Sequence, residues 1–370
     1  MKKNIFIIKK NLIKLNKPKL KIINLFHKYY PIKLVFIIVI MAFLNKFYKS
    51  KIENKNFHKM FLYKEDDNNN FNNKNLINIC MSLDNNIIYP TLVSMVSALE
   101  NNNNKKNILS YNLLLSNDFN KENIQIFESL KRTYQIIINY YIIPNIFTSF
   151  KKWKNGTRCH YHKILIPILF PNLERVIYLD CDTLIFKDLS EMYNLNFNHN
   201  FILGAQAHDK YIRKKFNLKL KVLVNSGVIL FNIQKIRKYN KDIELLYFIM
   251  KNSKKFKYPE QDSINIVFNP RIGLLPYQYG MRIIDSLETY KNHCEPSYII
   301  KYSIEEINKA IIRPGILHLT YCKPKIWYKV TRSIFKNDTI CIKYQKEFYF
   351  YAKKTKYFSK IYKLYMKNKK

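Results

Sequence analysis

The sequence predicts an α/β fold, in which strands and helices alternate along the chain around a mainly parallel central sheet. Two observations carry this prediction. Short apolar runs rich in β-branched and aromatic residues recur between segments with helical spacing of their apolar residues. Polar residues follow directly where several of these runs end. Such alternation is typical of an α/β/α sandwich, whose ligands bind at the carboxyl ends of the strands.

The predicted elements begin with a strand at 76–83 and a helix in which Leu92, Met95, Val96 and Leu99 have helical spacing. The elements that follow are a strand at 107–115, a helix at 120–131, a strand at 134–141, a helix at 161–170, apolar runs at 176–179 and 183–186, a capped turn at 188–192, a strand at 201–206, a glycine-containing turn and strand at 225–232, helices at 236–250 and from 259, and a strand ending at 318.

The chain divides into five predicted segments. Residues 1–33 are basic and contain no acid, and the apolar run that follows predicts a transmembrane signal-anchor at 34–48. The alternative, a cleaved signal peptide, is disfavoured by the long basic stretch before the run. Residues 49–74 are polar and predict a stem, 75–330 form the predicted catalytic domain, and 331–370 are a basic aromatic tail. The positive N-terminus favours a type II topology, with residues 1–33 cytoplasmic.

The tail has two interpretations. Alternating Lys, Tyr and Phe residues suit docking on an anionic membrane, and they equally suit a helix whose aromatic stripe packs on the domain. The sequence leaves both open.

Charge and cysteine content exclude some classes of protein. The formal net charge of +38 points to nucleic acid at first sight, but the lysines are dispersed and no helix-turn-helix, zinc-finger or RNP signature is present. We therefore expect no nucleic-acid partner. The six cysteines form no C-x-x-C pair, which argues against a structural zinc site.

Two aspartates provide the first chemical signal. Asp180 and Asp182 follow the apolar run at 176–179, and residues i and i+2 of an extended chain point to the same side. They can therefore converge on one hard divalent cation. A strand end with two solvated acids is the structural alternative.

Other polar residues also lie at predicted element ends. Asp84 and Asn86 follow the first strand, Gly227 allows close backbone approach, and His318 ends the last strand. A histidine in that position is otherwise a hydrogen-bonded structural residue.

Taken in order, these segments resemble glycosyltransferase family 8 over about residues 75–328. The resemblance implies a GT-A fold and sugar transfer from a UDP-sugar, using Mn²⁺ and retaining the anomeric configuration. It implies that Asp84 and Asn86 hold the uridine. It also implies that Lys163 takes the place of a donor-contacting arginine, and that Asp180 and Asp182, from the motif Y-L-D-x-D, contact the metal.

The later motifs extend the resemblance. Asn225, from N-x-G-v-x-L-x-N, is expected near the donor sugar. Glu260 and Gln261 match D-Q-D, with Gln261 at the reacting face of the sugar and Glu260 one methylene longer than the usual aspartate. Both are predicted catalytic residues, because together they offer a polar and anionic face to the positive charge that develops at the anomeric carbon. His318 is the third expected metal ligand, and Lys323 is expected to add positive charge at the diphosphate.

Two departures lie after His318. The family pattern H-x-x-G followed by K-P-W has Tyr321 in place of glycine, and Trp327 is displaced by two residues. Together with the predicted anchor and its type II topology, the resemblance predicts a Golgi or endoplasmic reticulum glycosyltransferase with a lumenal catalytic domain and a glycan or glycoconjugate acceptor. The alternative is a degenerate member that binds nucleotide sugar or glycan without turnover.

Overall fold

The computed structural model describes residues 61–66, 76–104, 106–152, 157–207, 222–282, 302–320, 325–328 and 338–367. Its strands are β1 (Leu62–Lys64), β2 (Leu76–Leu83), β3 (Ile108–Leu115), β4 (Ile136–Ile142), β5 (Arg175–Leu179), β6 (Thr183–Ile185), β7 (Ile202–Gln206), β8 (Val224–Asn232), β9 (Ile272–Leu274), β10 (Met281–Arg282) and β11 (Ile316–His318). Its α-helices are α1 (Ile88–Glu100), α2 (Ile124–Glu128), α3 (Ile166–Leu169), α4 (Ser190–Tyr193), α5 (Ile233–Lys238), α6 (Lys241–Asn252), α7 (Pro259–Phe268), α8 (Ile304–Ile312), α9 (Asp338–Lys353) and α10 (Phe358–Tyr362).

The main sheet has eight strands in the order β1-β4-β3-β2-β5-β8-β7-β9. The α/β prediction is confirmed, but the sheet is mixed rather than mainly parallel, because β8 runs antiparallel to both β5 and β7. This reversal matters for the site. The pairing of Leu179 with Val228 brings the start of β8 to the end of β5, and the N–H of Asp180 donates to the carbonyl of Gly227 at 2.7 Å.

A second sheet has the strand order β10-β11-β6 and places the strand that ends at His318 beside the strand that follows Asp182. Strand β11 runs antiparallel to β6 and pairs His318 with Thr183. The N–H of Leu319 also donates to the carbonyl of Asp182 at 2.8 Å. Residues far apart in sequence are thereby held next to the aspartates.

Helix α1 fixes the strand that follows the aspartates. It is buried on nearly all sides, as expected of a helix in a large core. Two of its serines hydrogen-bond to β6. The hydroxyl of Ser97 accepts from the N–H of Ile185 at 2.9 Å, and Ser94 hydrogen-bonds Thr183 at 2.9 Å.

Helix α7 is attached to β8 by one buried amide. Asn265 accepts from the N–H of Val224 and donates to its carbonyl, both at 2.8 Å, so its side chain acts as an extra strand pairing. Proline begins this helix, where its missing N–H costs nothing. The first turn of α7, with Glu260 and Gln261, is thereby held against the start of β8.

Several elements differ from the sequence-based expectation. The helices expected at 120–131 and 161–170 are the short α-helices α2 and α3, each extended by 3₁₀ turns. The single helix expected at 236–250 is two helices, α5 and α6, because Asn240 between them adopts the left-handed conformation (φ 55°), which asparagine tolerates. Strand β1 lies within the segment predicted as a stem. It pairs with β4, and Asp66 just after it accepts from the N–H of Ile138 at 2.9 Å.

The tail is helical and packs on the domain. Phe348 is buried against Trp327 with ring centroids 6.0 Å apart, and Asn101 donates to the hydroxyl of Tyr351 at 2.8 Å. This is the packed interpretation for one face of α9. Lys346 and Lys353 of the same helix are exposed, so the opposite face is basic.

The predicted transmembrane segment 34–48 and the basic segment 1–33 lie outside the described residues. Within the residues that are described, no helix is both long enough and apolar enough to cross a bilayer.

Candidate active site at the carboxyl edge of the sheet

Asp180 and Asp182 lie just beyond the end of β5, and each uses one oxygen to bind a lysine. Oδ1 of Asp180 accepts from Lys163 Nζ at 3.1 Å and from the hydroxyl of Tyr178 at 2.7 Å. Oδ2 of Asp182 is bound by Lys325 Nζ. The other two oxygens face a histidine: Nε2 of His318 lies 3.6 Å from Oδ2 of Asp180 and 3.2 Å from Oδ1 of Asp182.

The ring of His318 is oriented by Asn225. Nδ1 of His318 lies 3.2 Å from Oδ1 of Asn225, which also accepts from the N–H of Gly227 at 2.9 Å. Because an amide oxygen can only accept, Nδ1 must donate the hydrogen in this contact and is therefore protonated. Nε2 therefore faces the two carboxylates, where it can hydrogen-bond them when it is protonated and can bind a metal when it is not.

These three side chains fit a divalent cation. Their ligand atoms all lie within 4.8 Å of one another. Gly227 provides the space for this cluster, because an added Cβ would lie 2.6 Å from Nδ1 of His318 and 2.8 Å from Oδ2 of Asp180. Two carboxylates and one imidazole are a donor set that binds divalent metals. The residues predicted as metal ligands are thus brought together.

Two lysines compensate the negative charge of the pair. Lys163, at 1 % exposure, also donates to the carbonyl of Ser226 at 2.9 Å and lies 4.5 Å from the ring centroid of Tyr178. Burial alone would raise the pKa of Asp182, but Lys325 and His318 together hold it well below its usual range. Asp182 is therefore ionised at any pH at which the protein works.

Gln261 is tied to the start of β8. Its Oε1 accepts from Nδ2 of Asn225 at 3.1 Å and from the N–H of Ser226 at 3.2 Å. A chain of contacts thus runs from Gln261 through Asn225 to His318. Asn225, predicted near the donor sugar, is placed by this chain as the residue that orients a metal ligand.

Glu260 is nearly buried beside His160. Its Oε2 makes no hydrogen bond within the described part of the chain, and Nε2 of His160 lies 3.8 Å away. Burial raises the pKa of Glu260 to about 7, against the opposing charge of Lys163. Burial, with Lys163 in support, lowers the pKa of His160 to about 4.

Asp84 and Asn86 follow β2 at the same edge of the sheet, since β2 and β5 are parallel neighbours. Oδ1 of Asp84 accepts from the N–H of Asn86 at 2.9 Å, which closes a turn. Asp84 is half-buried and Asn86 is exposed, so both are accessible to a ligand.

Lys323 lies outside the described residues, as does Tyr321. Sequence reasoning missed Lys325, which lies two residues after Lys323 and binds Asp182. A signal was present: Lys325 precedes Trp327 by two residues, the spacing that K-P-W has in the family pattern. Sequence reasoning also missed His160, which carries no recognisable pattern.

This combination of a mixed α/β sheet and an acidic cluster at its carboxyl edge defines the chain as a GT-A glycosyltransferase fold. A solved bifunctional glycosyltransferase, WbbM, has a TM-score of 0.64 at 17% identity, covering 79% of this chain and 52% of that one. The galactosyltransferase LgtC, solved with donor and acceptor sugar analogues, has a TM-score of 0.61 at 16% identity, covering 76% of this chain and 96% of that one. At such identities the likeness concerns the fold alone.

The sequence comparison gives the family. The family model described as glycosyl transferase family 8 matches residues 78–327, and the chain belongs to that family. A putative glycosyltransferase of Haemophilus influenzae is 22% identical over 177 residues, which are 46% of this chain and 48% of that protein. Human glucoside xylosyltransferase 1 is 28% identical over 172 residues, 39% of each chain. The match to the Haemophilus influenzae protein spans about half of its length.

Proposed function

We propose that this protein transfers a hexose or pentose from a UDP-sugar to a glycan or glycoconjugate acceptor, with Mn²⁺ at Asp180, Asp182 and His318 and with retention at the anomeric carbon. The observation that carries the proposal is the oriented ligand set, in which Asn225 holds the ring of His318 with Nε2 facing both carboxylates. A mixed oxygen and nitrogen donor set favours Mn²⁺ over Mg²⁺.

The protein's own residues have distinct roles in this proposal. When bound, the metal supplies positive charge to the leaving diphosphate. Lys325, whose side chain is 34% exposed, adds a positive charge beside Asp182. Lys163 is buried and serves to hold the carboxylate of Asp180 in place. Asp84 and Asn86 bind the uridine.

Gln261 lies where the sugar reacts, but its oxygen is already an acceptor for two N–H groups. An amide oxygen is also a weak nucleophile. These properties support departure of the diphosphate and attack of the acceptor on the same face of the sugar, without a covalent intermediate on Gln261.

The range of donors follows from the relatives. The Escherichia coli relative, 24% identical over 168 residues, is named a lipopolysaccharide 1,2-glucosyltransferase, and the human relative is named for xylose. Family members thus take both hexoses and pentoses, and the proposal for this chain includes both.

The test uses the purified full chain with a panel of UDP-sugars, with and without Mn²⁺. We expect UDP release only with the metal, and a loss of roughly 100-fold or more in kcat in the double variant Asp180→Asn, Asp182→Asn. Asp188→Asn is the matched control, because Asp188 caps a turn through the N–H of Ser190 and lies outside the cluster. Full activity in the double variant would contradict the metal assignment. Tight UDP binding without turnover on any donor would identify a binding protein instead.

We further propose that the chain is anchored by residues 34–48, with its catalytic domain in the lumen of the Golgi or endoplasmic reticulum. The support is compositional: an apolar run follows an acid-free basic segment. Docking of the basic face of α9 on an anionic membrane surface is an alternative to the lumenal placement, because anionic lipids are concentrated in the cytoplasmic leaflet.

A further inference from the structure

Helix α7 and the residue that caps its end carry three amide side chains that bind the chain leading into β8. Gln261, Asn265 and Asn269 recur every four residues, so they lie on one side of the helix. Their backbone partners are alternate residues at the start of β8 and just before it, in the order Ser226, Val224 and Val222. We call these three side chains the amide ladder.

Asn265 forms the central rung of the amide ladder. Its Oδ1 accepts from the N–H of Val224 and its Nδ2 donates to the carbonyl of Val224, both at 2.8 Å. Nδ2 of Asn269 donates to the carbonyl of Val222 at 3.0 Å. Four helical residues advance about 6 Å and two strand residues about 6.6 Å, so the side chains stay in step with alternate residues of the strand.

The amide ladder holds a stretch of β8 whose pairing with β7 is irregular. Gly204 of β7 pairs with Ile229, but Gln206, two residues further on, pairs with Val224. Residues 225–228 therefore have no regular partners in β7. Backbone N–H and C=O groups in a buried strand need hydrogen-bond partners, and helix α7 supplies part of them.

The stretch that is held in this way carries Asn225, which orients the proposed metal ligand His318. Asn225 lies between Val224 and Ser226, and each of these neighbours is bound by one rung. Its Oδ1 lies 3.2 Å from Nδ1 of His318, and its Nδ2 donates to Gln261 at 3.1 Å. A shift of the backbone at Asn225 would therefore turn the imidazole away from the two carboxylates.

We infer that Asn265 is a positioning residue for metal binding, which acts through Asn225 on His318 and contacts none of the proposed ligands itself. Asn265 is 1% exposed, so the donor does not reach it. Hydrogen bonds that orient the ligands of a metal commonly change its affinity by 10- to 100-fold. The inference rests on the proposed function, because it assumes that Mn²⁺ binds at the three proposed ligands.

The test measures Mn²⁺ binding by calorimetry, without any donor, at a temperature at which circular dichroism shows each full-length variant to be folded. We expect Asn265→Ala to bind Mn²⁺ about tenfold more weakly than the wild type, and Asn225→Ala to lose at least as much. The double variant should bind no more weakly than Asn225→Ala alone, because Asn265 acts through Asn225.

Asn139→Ala is the matched control, because it also removes an amide that joins two parts of the chain. Asn139 on β4 accepts from the N–H of Asp66 at 3.0 Å and donates to Asn112 at 3.3 Å. Two strands, β3 and β2, separate β4 from β5 and the metal site. This variant should unfold at a lower urea concentration and keep its Mn²⁺ affinity.

Three results would overturn the inference: unchanged Mn²⁺ affinity in Asn265→Ala, losses that add up in the double variant, or an equal loss in Asn139→Ala. If Asn265→Ala does not fold, Asn269→Ala replaces it, because it removes only the outermost rung. The same direction of change and the same lack of additivity with Asn225→Ala are then expected. If the wild type itself binds no Mn²⁺, the proposed metal site fails, and this result differs from the other three.

Discussion

Gly227 is the residue whose missing side chain makes the metal site possible. A Cβ at this position would press on both His318 and Asp180 at less than 3 Å. We therefore expect Gly227→Ala to displace the imidazole, to lower Mn²⁺ affinity by roughly 10- to 100-fold and to cost about 1–3 kcal/mol in free energy of unfolding. Metal titration by calorimetry and urea unfolding measure the two effects separately.

Gly204→Ala is the matched control for that change. Its Cβ would lie 2.9 Å from the Cβ of Val224, so it crowds an apolar neighbour and no proposed ligand. It should lose a similar amount of stability and keep its Mn²⁺ affinity. If the two variants bind Mn²⁺ equally well, the cluster is not where the metal binds.

The burial of Glu260 makes the stability of the protein depend on pH. Its pKa is raised from 4.5 to about 7, so the native state holds a proton that the unfolded chain has already lost between these values. The free energy of unfolding therefore falls as pH rises from about 4.5 to 7 and stays lower above. The nearest titratable groups are Lys163, Asp180, His160 and Tyr161.

Glu260→Gln should remove this pH-dependent cost. At pH 8 we expect the variant to be more stable than the wild type, by at most about 3 kcal/mol, since one pKa unit is about 1.4 kcal/mol. At pH 4 the difference should vanish, because the carboxyl is then protonated in both states. Urea unfolding at the two pH values is the measurement. An equal difference in the free energy of unfolding at both pH values would show that the packing of the side chain, and not its ionisation, causes the difference.

The part of the site that local sequence could predict is the part that local geometry creates. Asp180 and Asp182 converge because they are two residues apart at a strand end, and the strand ending at His318 is a clear apolar run. Lys325 could not be placed in this way, because it meets Asp182 across 143 residues of chain. Nor could the role of Asn225, which depends on β8 being antiparallel to β5.

At the scale of elements, strands in clear apolar runs were predicted, including the three-residue β6 and β11, whereas the short strands β1, β9 and β10 were not. Strand β2 is found at Leu76–Leu83 as predicted, and α7 begins at Pro259 as predicted. Strand β1 has only three residues and shows no periodicity to detect. The break between α5 and α6 depends on one left-handed asparagine, in a sequence where asparagine is common throughout.

Helix α9 has a buried face and an exposed basic face. Phe348 is 1% exposed and packs on the domain, whereas Phe350 is 52% exposed among lysines. Reversing charge on this outer face, with Lys346→Glu and Lys353→Glu together, should weaken binding to phosphatidylserine vesicles at least tenfold. Each lysine near an anionic surface contributes about 1 kcal/mol. Sedimentation with vesicles measures this for residues Phe57–Lys370, which form one compact unit without the predicted anchor.

The charge-matched control is Lys251→Glu with Lys254→Glu, which changes the same net charge on exposed lysines at and just after the end of α6. If both double variants lose vesicle binding equally, net charge alone is responsible and α9 has no special role. Equal retention of binding in the α9 variant and the parent would end the docking proposal.

At the scale of the whole molecule, the net charge of +38 is compatible with a site that works on an anionic donor. Positive charge spread over the surface raises the local concentration of nucleotide sugars and membrane phosphates alike. In the cluster itself, Lys163 donates to Asp180, and Lys325 with His318 lowers the pKa of Asp182.

If residues 34–48 anchor the chain with its catalytic domain in the lumen, the full-length protein should resist carbonate extraction. The domain should also be protected from protease added to intact vesicles. The two sequons, at Asn155 and Asn337, should then carry glycans. Replacing both with Gln should abolish the mass shift on endoglycosidase treatment, whereas Asn103→Gln, outside any sequon, should not. Cleavage of the domain from outside intact vesicles would reverse the topology, because a lumenal domain is shielded whether or not it is glycosylated.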